Sequence, residues 1–89
     1  MLIKLIEIHN HTGSVGVREV YLNPSSIVSV REEHQQSLLE ETSSLGFSHA
    51  TRFSTVVVQE GGRTRAITVA HSPEEIHKKI NPSKTLLKG

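Results

Sequence analysis

Eighty-nine residues, 35% apolar and 21% charged, with no Cys and no Trp, describe one small domain; its core must be a compact set of Ile, Val and Leu or be completed by partner chains. Ten Lys and Arg against nine acids, all of them Glu, leave a net charge of +1. That is well short of the basic excess of a nucleic-acid-binding domain, so DNA and RNA are disfavoured as partners, and the absence of Asp excludes an Asp-dependent triad or an EF-hand loop.

Without Cys there is no disulfide framework, thiolate nucleophile or thiolate zinc site, a pattern that suits the cytoplasm. The opening Met1 to Ile8 is too short and too interrupted by charge for a signal peptide or a membrane helix. Leu2 to His9 reads instead as a first strand, with Lys4 and Glu7 on opposite faces. Asn10 to Gly16, with two Gly among small polar residues, reads as the connection to a second strand. In that strand, Val17 to Leu22, Val17, Glu19 and Tyr21 share one face and Arg18, Val20 and Leu22 the other. Asn23-Pro24 ends it in a tight turn, because Pro24 has no amide proton and biases Asn23 towards an extended conformation.

Ile27, Val28 and Val30 open a third strand that runs out in Arg31-Glu32-Glu33. The segment from there to about Arg52 loses period two. A connection of that length inside a small domain is usually functional or mobile, and Leu38, Leu39, Leu45 and Phe47 predict that part of it docks on its own domain or on a neighbouring subunit. Phe53 to Gln59 and Thr64 to Ala70 flank Glu60-Gly61-Gly62-Arg63, which reads as a β-hairpin with positive φ at the turn. Ser72-Pro73-Glu74-Glu75 then starts a helix, with Ser72 as N-cap, Pro73 first inside it and Glu75 closing a capping box. Ile76 and Ile80 make its buried stripe, and Glu74 with Lys78 and Glu75 with Lys79 form i,i+4 pairs.

The expected fold is α+β: a small antiparallel sheet of about five strands with one C-terminal helix, forming a single domain over residues 1–80. It carries a long loop insertion at 33–52 and a tail at 81–89. Five strands leave two edges, which a chain this small most simply hides against a second copy of itself.

Six His are present, and His9 and His11 share a strand face, but two ligands do not make a metal site and nothing in the spacing selects a third from His34, His49, His71 and His77. No metal and no cofactor is expected. The sequence holds no Gly-x-Ser-x-Gly elbow, phosphate-binding Gly loop or His-Glu-x-x-His, so it predicts no enzyme. Arginine forks suit carboxylates and phosphates. Arg18, Arg31, Arg63 and Arg65 read as cross-strand partners of Glu7, Glu19, Glu32 and Glu60. Arg52 stands apart, where the polar loop re-enters the sheet beside Ser48, His49 and Thr51, and that group could cradle a phosphate. Phe47 and Phe53 either pack in the core or offer a ring to a nucleotide base.

Three strings resemble the FlbD (SwrD) family of small bacterial proteins linked to flagellar and swarming motility: Ile3-Lys4-Leu5 in the first strand, Asn23, Pro24 and Ile27 at the turn, and Ser72, Glu74, Glu75 and Ile76 in the helix. The resemblance implies the same β-rich fold and a protein-interaction role in a motility or regulatory assembly. The segment Glu33 to Arg52 departs from it, since that family has a short connection there. The chain is more loosely similar to small phage-encoded sponge proteins that sequester nucleotide immune signals, being short, Cys-poor, β-rich and expected to self-associate. The insertion favours this second function, because long loops on a rigid sheet are where binding residues concentrate. The expectation is a homo-oligomer sequestering a small anionic, nucleotide-like signal at a subunit boundary, with Arg52, His49, Ser48, Thr51, Phe47 and Phe53 as the site.

Overall fold

The computed structural model describes residues 1–11, 14–34, 45–47 and 51–81. In chain order the elements are β1 (Ile3–His11), β2 (Ser14–Leu22), β3 (Ile27–Glu33), β4 (Phe53–Glu60), β5 (Arg63–Val69) and the helix α1 (Pro73–Ile80). The strands form one sheet in the order β2-β1-β5-β4-β3, with every neighbouring pair antiparallel. This is the small α+β fold expected, and β2 and β3 are its edges.

Register follows the apolar pattern, since a slip of one residue would turn each strand's buried set outward. Ile3 lies opposite Leu22 and Leu5 opposite Val20, while Val56 faces Ile67 and Val30. Ile3, Leu5, Leu22, Val56, Val58, Ile67, Val69 and Ile76 form one buried cluster, so α1 closes the face on which these side chains meet. Ile80 packs on the same cluster one turn beyond Ile76.

β1 and β2 both run further than the sequence suggests. They reach His11 and start again at Ser14, so Asn10, His11, Val15 and Gly16 belong to strands rather than to a loop. Gly16 has a packing reason to be there. It pairs with His9, and a Cβ on it would lie 3.1 Å from His9 Nε2. The glycine makes room for an imidazole across the ladder, a strand use of Gly that resembles a turn signal in the sequence.

The turn after β2 matches its chemistry. Asn23 is extended (ψ 121°) before Pro24, and Pro24–Ser26 form a single 3-10 turn. The Asn23 side chain accepts from the Ser25 N–H at 3.0 Å and from its hydroxyl at 2.8 Å. This short link has a large consequence, because it joins strands at opposite edges of the sheet. Five Cα steps reach about 18 Å at full extension, and four strand spacings of about 4.8 Å come to about 19 Å across a flat sheet. Leu22 lies opposite Ile3, beyond the Glu7↔Val69 pair, whereas Ile27 lies opposite Val58 and so level with Arg65 at the other end of β5. The sheet must therefore coil strongly to bring the two together, and the coil gathers β2 and β4 residues into one core. The seam between β1 and β5 is the shortest in the sheet, with register pairs only at Glu7↔Val69 and Ile8↔Thr68.

Gly61 and Gly62 turn the β4–β5 hairpin with φ of 57° and 79°, the left-handed conformations a two-residue hairpin requires. Both halves of the capping box form: Ser72 Oγ accepts from the Glu75 N–H at 3.2 Å, and the Ser72 N–H donates to Glu75 Oε1 at 3.1 Å.

Candidate functional site

The residues expected to hold an anion divide into three groups. Ser48 and His49 lie outside the described residues. Phe47 and Phe53 do come together, edge to face with ring centroids 5.8 Å apart. Phe53 is 1% exposed, so its face is not open to a base; the contact instead shows one point of the long connection docked on its own domain.

Arg52 reaches the surface, but its guanidinium is occupied. Nε donates to Glu32 Oε2 at 2.8 Å and one Nη to Glu32 Oε1 at 2.7 Å, a bidentate fork onto β3. The other Nη lies 2.8 Å from Glu74 Oε2 on α1. The expected phosphate fork is thus a carboxylate clamp tying the start of β4 to an edge strand and the helix, with Thr51 half-buried beside it. Two carboxylates around one guanidinium leave a net negative environment, which repels an anion. The hydrogen bond from Arg52 holds the Glu32 carboxyl below its ordinary value of 4.5, and the same contacts raise Arg52. Because Glu74 meets Arg52 and Glu75 folds back on Ser72, the helix acids serve tertiary and capping contacts in place of the expected i,i+4 lysine pairs.

Of the expected cross-strand arginine pairs, Arg65 meets Glu60 at 3.8 Å and Arg18 meets Glu7. Glu19 instead meets Lys4 at 3.4 Å and Glu32 meets Arg52, and neither Arg31 nor Arg63 forms an ion pair with another described residue. The pair of Arg18 with Glu7 differs from these in burial. Arg18 Nε donates to Glu7 Oε1 at 3.0 Å; the Glu7 side chain is 9% exposed and that of Arg18 59%. A buried carboxylate therefore orients the root of an exposed guanidinium on the edge strand β2. Glu7 and Arg18 face each other because the β1–β2 ladder continues through His9↔Gly16 to His11↔Ser14, an alignment that reading 10–16 as a loop hid.

His71 is a second site the sequence did not single out. Its Nε2 accepts the Ile6 N–H at 3.0 Å, and its backbone carbonyl accepts from Ser54 Oγ at 2.7 Å. Nδ1 is buried without a hydrogen-bond partner, 3.6 Å from Glu75 Oε2. Burial lowers the His71 pKa from 6.5, against the pull of Glu75.

Among the described residues no three His or Glu side chains gather as a metal site, and no helix is long and apolar enough to cross a membrane. On the β1–β2 hairpin, Leu2 just before β1 is 61% exposed and Val17 and Tyr21 on β2 are 45% and 57% exposed, while Val28 on the other edge strand is 60% exposed. By strand alternation Leu2, Val17 and Tyr21 share the sheet face opposite α1, around the Lys4–Glu19 pair. No family model, curated protein or solved structure matches this chain.

Proposed function

We propose that this chain is a non-enzymatic binding module that works as a homo-oligomer in the cytoplasm, with the β2 edge as its subunit boundary. The observation that carries this reading is the set of exposed side chains Val17 and Tyr21 on the open edge strand β2, with Leu2 beside them before β1 and the Lys4–Glu19 ion pair on the same face. An unpaired strand edge offers a row of backbone donors and acceptors, and exposed Val and Tyr side chains beside it supply apolar area that a second copy buries. A two-fold axis suits the patch, since Lys4 and Glu19 can exchange partners across it. With a net charge of only +1, two copies meet little mutual repulsion.

Arg52, engaged by Glu32 and Glu74, gives little support to capture of an anion at the polar loop. The exposed β2 edge gives more support to a protein-interaction component, the role in a motility or regulatory assembly that the FlbD resemblance implies. A second reading is favoured by Arg18: its Nε is fixed by Glu7 while its side chain stays 59% exposed on the same edge strand, on the face opposite the apolar patch. Two copies joined there would bring two such forks to the boundary, suited to a small anionic, nucleotide-like ligand.

Thermal melting against a panel of cyclic and linear nucleotides separates the two. A ligand that binds only the folded state raises the midpoint by mass action, by about 2.7 kcal/mol at a hundredfold excess over its dissociation constant. A shift lost in Arg18→Ala and kept in Arg52→Ala supports the boundary ligand. No shift with any nucleotide, together with a specific host protein that binds wild type and not Val17→Glu, supports the interaction component.

A further inference from the structure

We propose that His71 is a pH-sensitive latch between the two halves of the sheet: as a neutral imidazole it fastens β1 to the β5–α1 junction, and on protonation it lets go. The seam it serves is short. β1 and β5 share two register pairs, extended by the Ala70 N–H donating to the Ile6 carbonyl at 2.9 Å. The next donor along β1, the Ile6 N–H, finds no carbonyl and donates to His71 Nε2 at 3.0 Å. The imidazole thus stands in for one rung of the ladder.

That hydrogen bond fixes the tautomer. An Nε2 that accepts carries no proton, so the ring proton sits on Nδ1. Protonation places a second N–H on Nε2, directly against the Ile6 N–H, and the rung becomes a clash of two donors. The surroundings pull in opposite directions. From α1, Glu75 favours the charged ring and Lys79 opposes it. β1 contributes a backbone amide, its neighbouring Glu7 being bound to Arg18. β4 contributes the Ser54 hydroxyl to the His71 carbonyl, and Arg52 beside that strand is engaged by Glu32 and Glu74. Glu75 Oε2 lies 3.6 Å from Nδ1, too far for a hydrogen bond but near enough to receive the charged ring once it swings away from Ile6. Acid therefore exchanges a contact between the halves of the sheet for one within the β5–α1 junction.

The test is amide hydrogen exchange followed by NMR on the whole chain between about pH 8 and about pH 5, where imidazole titrates, with the His71 ring nitrogens recorded in the same samples. Each Ile6 rate is divided by its intrinsic rate at that pH. The expected result is a Ile6 protection factor that falls about tenfold as His71 protonates, the loss of one part-buried hydrogen bond, with the β4–β5 hairpin amides unchanged. In His71→Gln, whose side-chain oxygen accepts without titrating, Ile6 protection should stay level across the range. The latch is overturned if His71 gains its proton and Ile6 protection holds, if His71 does not titrate in that range, or if Ile6 protection falls equally in His71→Gln. If the Gln variant does not fold, the coincidence of the two wild-type titrations decides.

Discussion

Replacing Arg52 by Ala removes a bidentate bond to Glu32 and a third contact to Glu74 in one step. All three residues are partly exposed, and ion pairs in that setting contribute little and weaken with salt. The expected outcome is a melting midpoint lower by a few degrees at low ionic strength, a deficit that shrinks in high salt, with oligomeric state unchanged. A wild-type melt together with loss of nucleotide binding would instead restore Arg52 to the ligand. Gly16→Val tests the close approach to His9, since a Cβ at that position meets the imidazole at 3.1 Å. Overpacking predicts a loss of about 1–3 kcal/mol in urea denaturation, and the double variant with His9→Ala should recover most of it.

At the level of elements, α1 is held by its cap, by the fully buried Ile76 with Ile80 packed beside it, and by the Glu74–Arg52 ion pair. Ser72→Ala removes an N-cap hydroxyl and should cost about 1 kcal/mol. Ile76→Ala opens a cavity at a position with 0% exposure and should cost about 2–5 kcal/mol; chemical denaturation of both variants checks the order. The sequence made these elements legible because their signals are local. Gly61-Gly62 requires positive φ, Ser72 and Glu75 satisfy each other's backbone three residues apart, and Asn23-Pro24 restricts its own dihedrals. The candidate site was less legible because its contacts are long-range. Nothing near Arg52 in the chain announces Glu32 and Glu74, and the Ile6 contact of His71 spans 65 positions. Gly16 misled for a related reason, since the imidazole it accommodates belongs to the facing strand. The presence of an arginine, phenylalanines and hydroxyls beside a loop was visible; which of them were already engaged by partners was set by the coil of the sheet.

For the whole molecule, acid should act in two stages. His71 has its pKa lowered in the folded state, so the unfolded chain takes up the proton first, and stability present above the ordinary 6.5 declines as pH falls below it. Glu32 and Glu75 are also lowered, by hydrogen bonds from Arg52 and the Ser72 amide respectively. Their contribution is present above 4.5 and lost as pH falls through the lowered values. Urea midpoints measured against pH should therefore descend once below 6.5 and again below 4.5, and His71→Gln should lack the first descent.

The same scale holds the claim on which the proposed function rests, association through the β2 edge. Light scattering on the purified chain at tens of micromolar measures it directly, with Val17→Glu as the paired sample. A mass of at least twice the 9.8 kDa of one chain that falls to the single-chain mass in Val17→Glu is the expected result. A wild-type mass of one chain would contradict self-association, and an assembly untouched by the Val17 change would place its boundary elsewhere than β2.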